Sequence, residues 1–273
     1  MHCYAYKQND TQETYFEHVE GIIKCMSSSW EYKALVKKLS IMLGISEKEI
    51  ESLLRLTAIL HDIGKLDEET QKKCISGECT EFKHHYAISA RMASFLATKA
   101  GLVLEKKREK GLNIIFQDVD HLSVDKDTYA FYILVVFPIL LHHYAQITEE
   151  SLMNAIEKTR EIEKLYIHRD CVEVLKRLID EYLLNNSVDK LSLDEKSAAL
   201  EVTFKLKEEL EKNNIIKLCV LPIDNIKEIF SYEYSPWKYV IEAVTGLLNM
   251  CDGRVAYSHR YERSKDQLAE KAS

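Results

Sequence analysis

The chain has 273 residues, 46% of them hydrophobic and 30% charged, with a net charge of −7. These values are ordinary for a soluble globular protein with a well-buried core, and the acidic total argues at first against a nucleic-acid partner. Eight Gly and three Pro are few for the length, which favours long helices over the frequent reversals of a sheet protein.

Phe16-Glu17-His18 lies on the first predicted helix. Ser46-Glu47-Lys48-Glu49 has the form of a capping box. It opens a helix through Leu53, Leu54, Leu56, Ile59 and Leu60 into His61-Asp62, where Gly64 supplies the stop. The next helix is predicted from His84 to Ala100, with Gly101 behind it. Gly111 to Asp127 reads as irregular, a loop or a short strand pair, and Ala130 to Ala145 as a buried helix kinked at Pro138. Glu149 to Asn214 reads as two or three amphipathic helices broken around Asn185-Asn186-Ser187, with further breaks at Leu221-Pro222 and Ser235-Pro236. The last helix runs from about Trp237 to His259. No repeat or linker divides the chain. The expected architecture is all-α, one domain over 1–273, with roughly 150–235 as an accessory helical insertion that caps a substrate groove or docks a partner.

Met1 to Asp10 is polar and carries no apolar export segment. The longest apolar run, Phe131 to Leu141, is interrupted by Pro138 and falls short of the roughly 20 residues that cross a bilayer. A cytoplasmic protein without a membrane part is expected. The seven cysteines are odd in number and scattered, which reads as reduced thiols rather than a disulfide framework. Cys74 and Cys79 lack a second ligand pair that would make them a zinc site.

The strongest chemical signal is His61-Asp62-Ile63-Gly64-Lys65. An imidazole beside a carboxylate at the end of an apolar helix offers two metal ligands from one rigid place, and a carboxylate can bridge two ions. Lys65 can meet a phosphate as a point charge. His142-His143 closes the most apolar helix, where burying two uncoordinated imidazoles would be costly. Asp252 stands on an otherwise apolar helix face and needs a partner for the same reason. His2, His121, His168 and His259 read as terminal, loop or surface residues. From Gln71 to Asn113, nine Lys or Arg, Lys83, Lys106, Lys107 and Arg108 among them, stand against four Glu. This local positive stretch suits a polyanion without making the whole protein basic.

The order His18, His61-Asp62-x-Gly64-Lys65, Phe82-x-His84-x-x-x-x-Ser89, His142-His143, Asp252 resembles that of the HD-superfamily metal phosphohydrolases. It is most similar to the stand-alone HD nuclease of the CRISPR-associated nuclease–helicase family in type I CRISPR interference. The resemblance implies an HD-domain helical bundle. It implies one ion held by His18, His61, Asp62 and Asp252, and a second held by Asp62, His84, His142 and His143. His84 and His85 compete for that role, and the spacing to Ser89 favours His84. Lys65 and Ser89 would line the phosphate path. So many imidazoles favour manganese, nickel, cobalt or iron over magnesium.

The implied activity is hydrolysis of single-stranded DNA, with RNA as a further candidate, in which His61, Asp62 and Lys65 form the catalytic core. No Gly-x-x-x-x-Gly-Lys-Ser/Thr loop is present, so duplex opening falls to a separate CRISPR-associated helicase acting with the CRISPR surveillance complex. Two other readings share the His-Asp pair. One is a phosphohydrolase of nucleotides or cyclic nucleotides. The other is a non-catalytic helical interaction subunit with a structural metal.

Overall fold

A computed structural model describes residues 2–9, 11–77, 79–103, 125–143, 146–185, 197–212, 214–221 and 236–262. Two short antiparallel strands, β1 (Tyr4–Gln8) and β2 (Thr11–Thr14), open the chain. Thr14 then caps α1 (Tyr15–Ser28) in a complete capping box with Glu17. Ser29 caps α2 (Trp30–Leu43), which ends on Gly44 at a φ of 64°. Ser46 caps α3 (Glu47–Leu60), its hydroxyl accepting from Glu49 N–H.

A 3₁₀ turn (Ile63–Leu66), α4 (Glu68–Ser76) and α5 (His85–Lys99) follow. Then come α6 (Lys126–Phe131), a π-helical turn (Tyr132–Val136) and α7 (Phe137–Leu141). The later elements are α8 (Glu149–Thr159), β3 (Lys164–Tyr166), α9 (Arg169–Ile179) with a π-helical turn (Asp180–Leu184), α10 (Ala198–Lys212) and β4 (Ile215–Lys217). The last are α11 (Pro236–Tyr257) and a π-helical turn (Ser258–Glu262). The fold is all-α in class.

The core is built around α3, whose Ile50, Leu53, Leu54, Leu56, Ala58, Ile59 and Leu60 are all buried. A helix apolar on most of its circumference belongs at the centre of a bundle. Around it, α1 packs on α11 and α5 on α7. Gly21 makes the first contact close, since a Cβ there would lie 2.9 Å from Val255 Cγ1.

The break expected at Pro138 takes the form of the π-helical turn just before it. Proline has no N–H for the Leu134 carbonyl four residues earlier. Thr57 of α3 approaches that carbonyl instead, with Oγ1 2.8 Å away.

The 164–217 region adds a strand pair that the sequence did not suggest, β3 against β4 with Leu165 opposite Ile216. Three residues are too few to display an alternating pattern. Buried residues of this region, among them Cys171, Leu175, Leu178, Val202 and Leu206, share one hydrophobic cluster with α1, α3 and α5. Glu49 of α3 also accepts from Ala199 N–H at 2.9 Å, satisfying a free amide at the start of α10.

The cysteines correct the expectation of reduced thiols. Six of the seven form Cys3–Cys171, Cys25–Cys251 and Cys74–Cys79, leaving Cys219 free. The support those thiols gave to a cytoplasmic location therefore falls away. No helix among the described residues is long and apolar enough to cross a membrane.

Cys25–Cys251 joins α1 to α11 across a sequence separation of 226. Closing so long a loop restricts the unfolded chain strongly. The Cys25→Ala/Cys251→Ala variant should lose roughly 2–5 kcal/mol of stability in urea unfolding, and a midpoint unchanged from wild type would contradict this.

Candidate metal centre

α3 delivers two of the key side chains. Its last turn is fully buried, His61 caps its C-terminus, and Asp62 begins the 3₁₀ turn beyond it with only 1% of its surface exposed. That turn lies directly against the start of α5. Gly64 N–H donates to Ser89 Oγ at 2.9 Å, and a Cβ on Gly64 would lie 2.5 Å from the His85 carbonyl oxygen. Only a residue without a side chain permits that approach, and the approach carries His85 to Asp62.

Four buried imidazoles surround the Asp62 carboxylate. His85 Nε2 lies 3.0 Å and His142 Nε2 3.5 Å from Oδ1. His61 Nε2 lies 3.3 Å and His18 Nε2 3.4 Å from Oδ2. Each ring is fixed through its other nitrogen. Nδ1 of His61, His85 and His142 donates to the carbonyls of Ala58, Phe82 and Ile139, at 2.8, 2.5 and 2.6 Å. Nδ1 of His18 lies 2.8 Å from Glu13 Oε1. A carbonyl only accepts, so Nδ1 carries a proton in those three rings and Nε2 is the atom turned towards Asp62.

Several of these facing atoms lack a hydrogen-bond partner. His18 Nε2, His61 Nε2, His142 Nε2 and Asp62 Oδ1 are buried without one, while Asp62 Oδ2 is in an ion pair with Lys65. Buried donors and acceptors are normally satisfied, so a convergent set of unsatisfied ring nitrogens about a carboxylate is what a cation site looks like. The set divides in two about the shared carboxylate. Asp62, His85, His142 and His143 form one group, and His18, His61 and Asp62 the other, with the ligand atoms of each within 4.8 Å of one another. Asp252 adjoins the second group, its Oδ1 3.2 Å from His18 Nε2 and its side chain 20% exposed. In the first group, His143 Nε2 stands 2.9 Å from His85 Nε2, so two ring nitrogens face each other where a cation could sit against both. The donor set could hold a metal ion.

The electrostatics agree with this geometry. Burial opposes ionisation of Asp62, but Lys65, His61 and His85 hold its carboxyl well below the usual range. Lys65 Nζ lies 2.5 Å from Asp62 Oδ2 and 5.2 Å above the Phe82 ring. Burial, with His142 and His85 alongside, brings the His143 pKa down to about 3, and burial also lowers His85. Both rings are therefore neutral near pH 7, the state a metal requires. His18 differs. Burial pushes its pKa down, but the carboxylates of Asp252, Asp62 and Glu13 more than reverse this and raise it well above 6.5.

A proton on His18 thus stabilises the metal-stripped fold below pH 6.5, and that contribution is lost as pH rises through the folded-state value. An ion beside His18 must displace this proton. Calorimetric affinity for manganese should therefore increase as pH rises from 6.5 to 8, with proton release detectable in buffers of different ionisation enthalpy. A pH-independent affinity would contradict it.

The structure brings together His18, His61, Asp62, Lys65, His142, His143 and Asp252. It does not bring His84. His84 precedes α5 at a φ of 58°, half-buried, and His85 takes its place beside Asp62. Ser89 is wholly buried with its hydroxyl on Gly64 N–H, so it holds the turn rather than lining a phosphate path. Lys83 is exposed, while Lys106, Lys107 and Arg108 lie outside the described residues. Arg91, part of the basic stretch, is buried and donates to the carbonyls of Cys219 and Thr159. Two residues escaped the sequence reading. Glu13 is wholly buried beside His18, and His259, read as a surface residue, bonds to it. The Thr14-x-x-Glu17 cap that precedes His18 was the available signal for the start of α1, but nothing in the sequence marks Glu13 itself. No family model matches the chain, and no curated protein matches it.

Proposed function

We propose that the protein is a metal-dependent phosphohydrolase that cuts phosphodiester bonds, with single-stranded DNA as its preferred polymer and RNA as a second. The observation that carries this reading is the ring of imidazole Nε2 atoms turned on a single buried carboxylate, with a lysine in contact with it. Asp62, His18, His61 and Asp252 would hold one divalent ion, and Asp62, His85, His142 and His143 another. Two such ions, when bound, supply positive charge that polarises a phosphoryl oxygen and acidifies a water. The chain's own part is to fix the imidazole tautomers, to keep competing hydrogen-bond donors away from the lone pairs, and to present Lys65 as a positive charge for a phosphate oxygen. Manganese, nickel, cobalt and iron suit the imidazole-rich set better than magnesium does.

Hydrolysis of free nucleotides by the same centre is the second reading. It gains weight because Arg91 is turned inward and is not available to a polymer. Digesting single-stranded oligonucleotides, RNA and free mono- and cyclic nucleotides under a panel of divalent metals separates the two. Preferential cleavage of oligonucleotides, lost in His61→Ala/Asp62→Ala, supports the first. Turnover of free nucleotides alone would replace it with the second, and inactivity on every phosphate ester despite bound metal would leave only a structural centre. A separate helicase and a CRISPR surveillance complex are the partners this reading entails, and pull-down from the native host tests them.

A further inference from the structure

His18 is held differently from the other imidazoles around Asp62. Backbone carbonyls fix His61, His85 and His142, whereas a carboxylate, that of Glu13, fixes His18. Glu13 ends up wholly buried because β2 leads straight into α1, with the His18 ring one turn further on.

A buried carboxylate must be compensated, and the π-helical turn after α11 does this. Arg260 Nε and Nη2 both lie 3.0 Å from Glu13 Oε2, and His259 Nδ1 lies 2.9 Å from Oε1, the oxygen that also meets His18. Arg260 is itself positioned, its guanidinium 4.4 Å above the Tyr6 ring of β1. The chain from Arg260 through Glu13 to His18 therefore ends at a candidate ligand atom. It joins the far end of the sequence to its beginning.

A carboxylate on the far nitrogen of a ligand imidazole fixes the ring and makes it a stronger donor than a carbonyl does. Asp252 also gives the His18 side a second carboxylate beside the shared Asp62, although Lys65 on Asp62 Oδ2 and Arg260 on Glu13 balance part of the negative charge there. On the His85 side, Asp62 is the only carboxylate in the group.

We propose that Glu13, clamped by Arg260 and His259, is a positioning residue that makes the His18 side of Asp62 the tighter of two ion sites. This deepens the metal reading above and rests on it. Arg260 would accordingly set metal affinity without touching a metal.

The test is calorimetric titration of metal-stripped protein with cobalt, read together with cobalt's visible absorption. Wild type should show a tighter and a weaker step, and His143→Ala should lose only the weaker. Glu13→Gln keeps the shape but removes the charge. It should weaken the tighter step about 10–100-fold and alter its absorption, leaving the weaker step as it was. Equal weakening of both steps would mean a general packing role, and unchanged steps would mean no role; either overturns the proposal. Should Glu13→Gln not fold, Arg260→Gln at the more exposed end of the chain decides the matter. A weakened tighter step supports the proposal and an unchanged one overturns it. Wild type that takes up no cobalt would overturn the metal reading itself, and this proposal with it.

Discussion

Asp62→Ala should abolish uptake of both ions and reduce phosphodiester cleavage to the level of metal-stripped protein. Its two oxygens face separate groups of imidazoles, Oδ1 towards His85 and His142 and Oδ2 towards His18 and His61. No other described carboxylate stands between them. The variant should also be less stable without metal. Lys65 is buried against Asp62 Oδ2, and an ammonium left buried without its partner typically costs roughly 3–5 kcal/mol. Adding Lys65→Met to Asp62→Ala removes the orphaned charge, so it should restore much of the stability but none of the metal binding. Urea unfolding and metal content measured on the single and double variants check both halves. An Asp62→Ala protein that binds two ions or cuts at the wild-type rate contradicts the role assigned to this carboxylate.

Gly64→Ala should also damage the centre, although it changes neither a charge nor a ligand. The new methyl would lie 2.5 Å from the His85 carbonyl oxygen and 3.0 Å from its Cα. Both are backbone atoms at the start of α5 and cannot swing aside as a side chain could. The turn and the helix must separate, which breaks the Gly64 N–H bond to Ser89 and draws His85 away from Asp62. Such overpacking costs about 1–3 kcal/mol. The loss of ion affinity should fall mainly on the His85 side, because His18 and His61 approach Asp62 from α1 and α3. Thermal unfolding and metal titration of the variant test this. Unchanged stability with both ion steps intact would show that the contact can relax freely.

The all-helical class and most of the centre were legible because their signals are local. An apolar helix ending in His-Asp, a second ending in His-His, and an acidic residue on an apolar face each raise the question of what balances the buried polar group. The His84–His85 choice depends on where the helix starts, which the spacing to Ser89 alone does not give. The helix begins at His85, so His85 and Ser89 are four apart on one face, while His84 stands outside it. The clamp on Glu13 and two of the three disulfides depend on contacts over long sequence separations, 246 residues for Glu13 with His259, 168 for Cys3 with Cys171 and 226 for Cys25 with Cys251. No local pattern encodes such pairings. Arg91 misled because a charge count along the sequence does not say which face of α5 a residue occupies.

In the proposed centre, one carboxylate would serve two cations held by separate sets of imidazoles. Anomalous diffraction from crystals soaked in manganese measures this directly. Two peaks are predicted, one on each side of Asp62, the first beside His18, His61 and Asp252 and the second beside His85, His142 and His143. No peak within coordinating distance of Asp62, or peaks only at other surfaces, would contradict it.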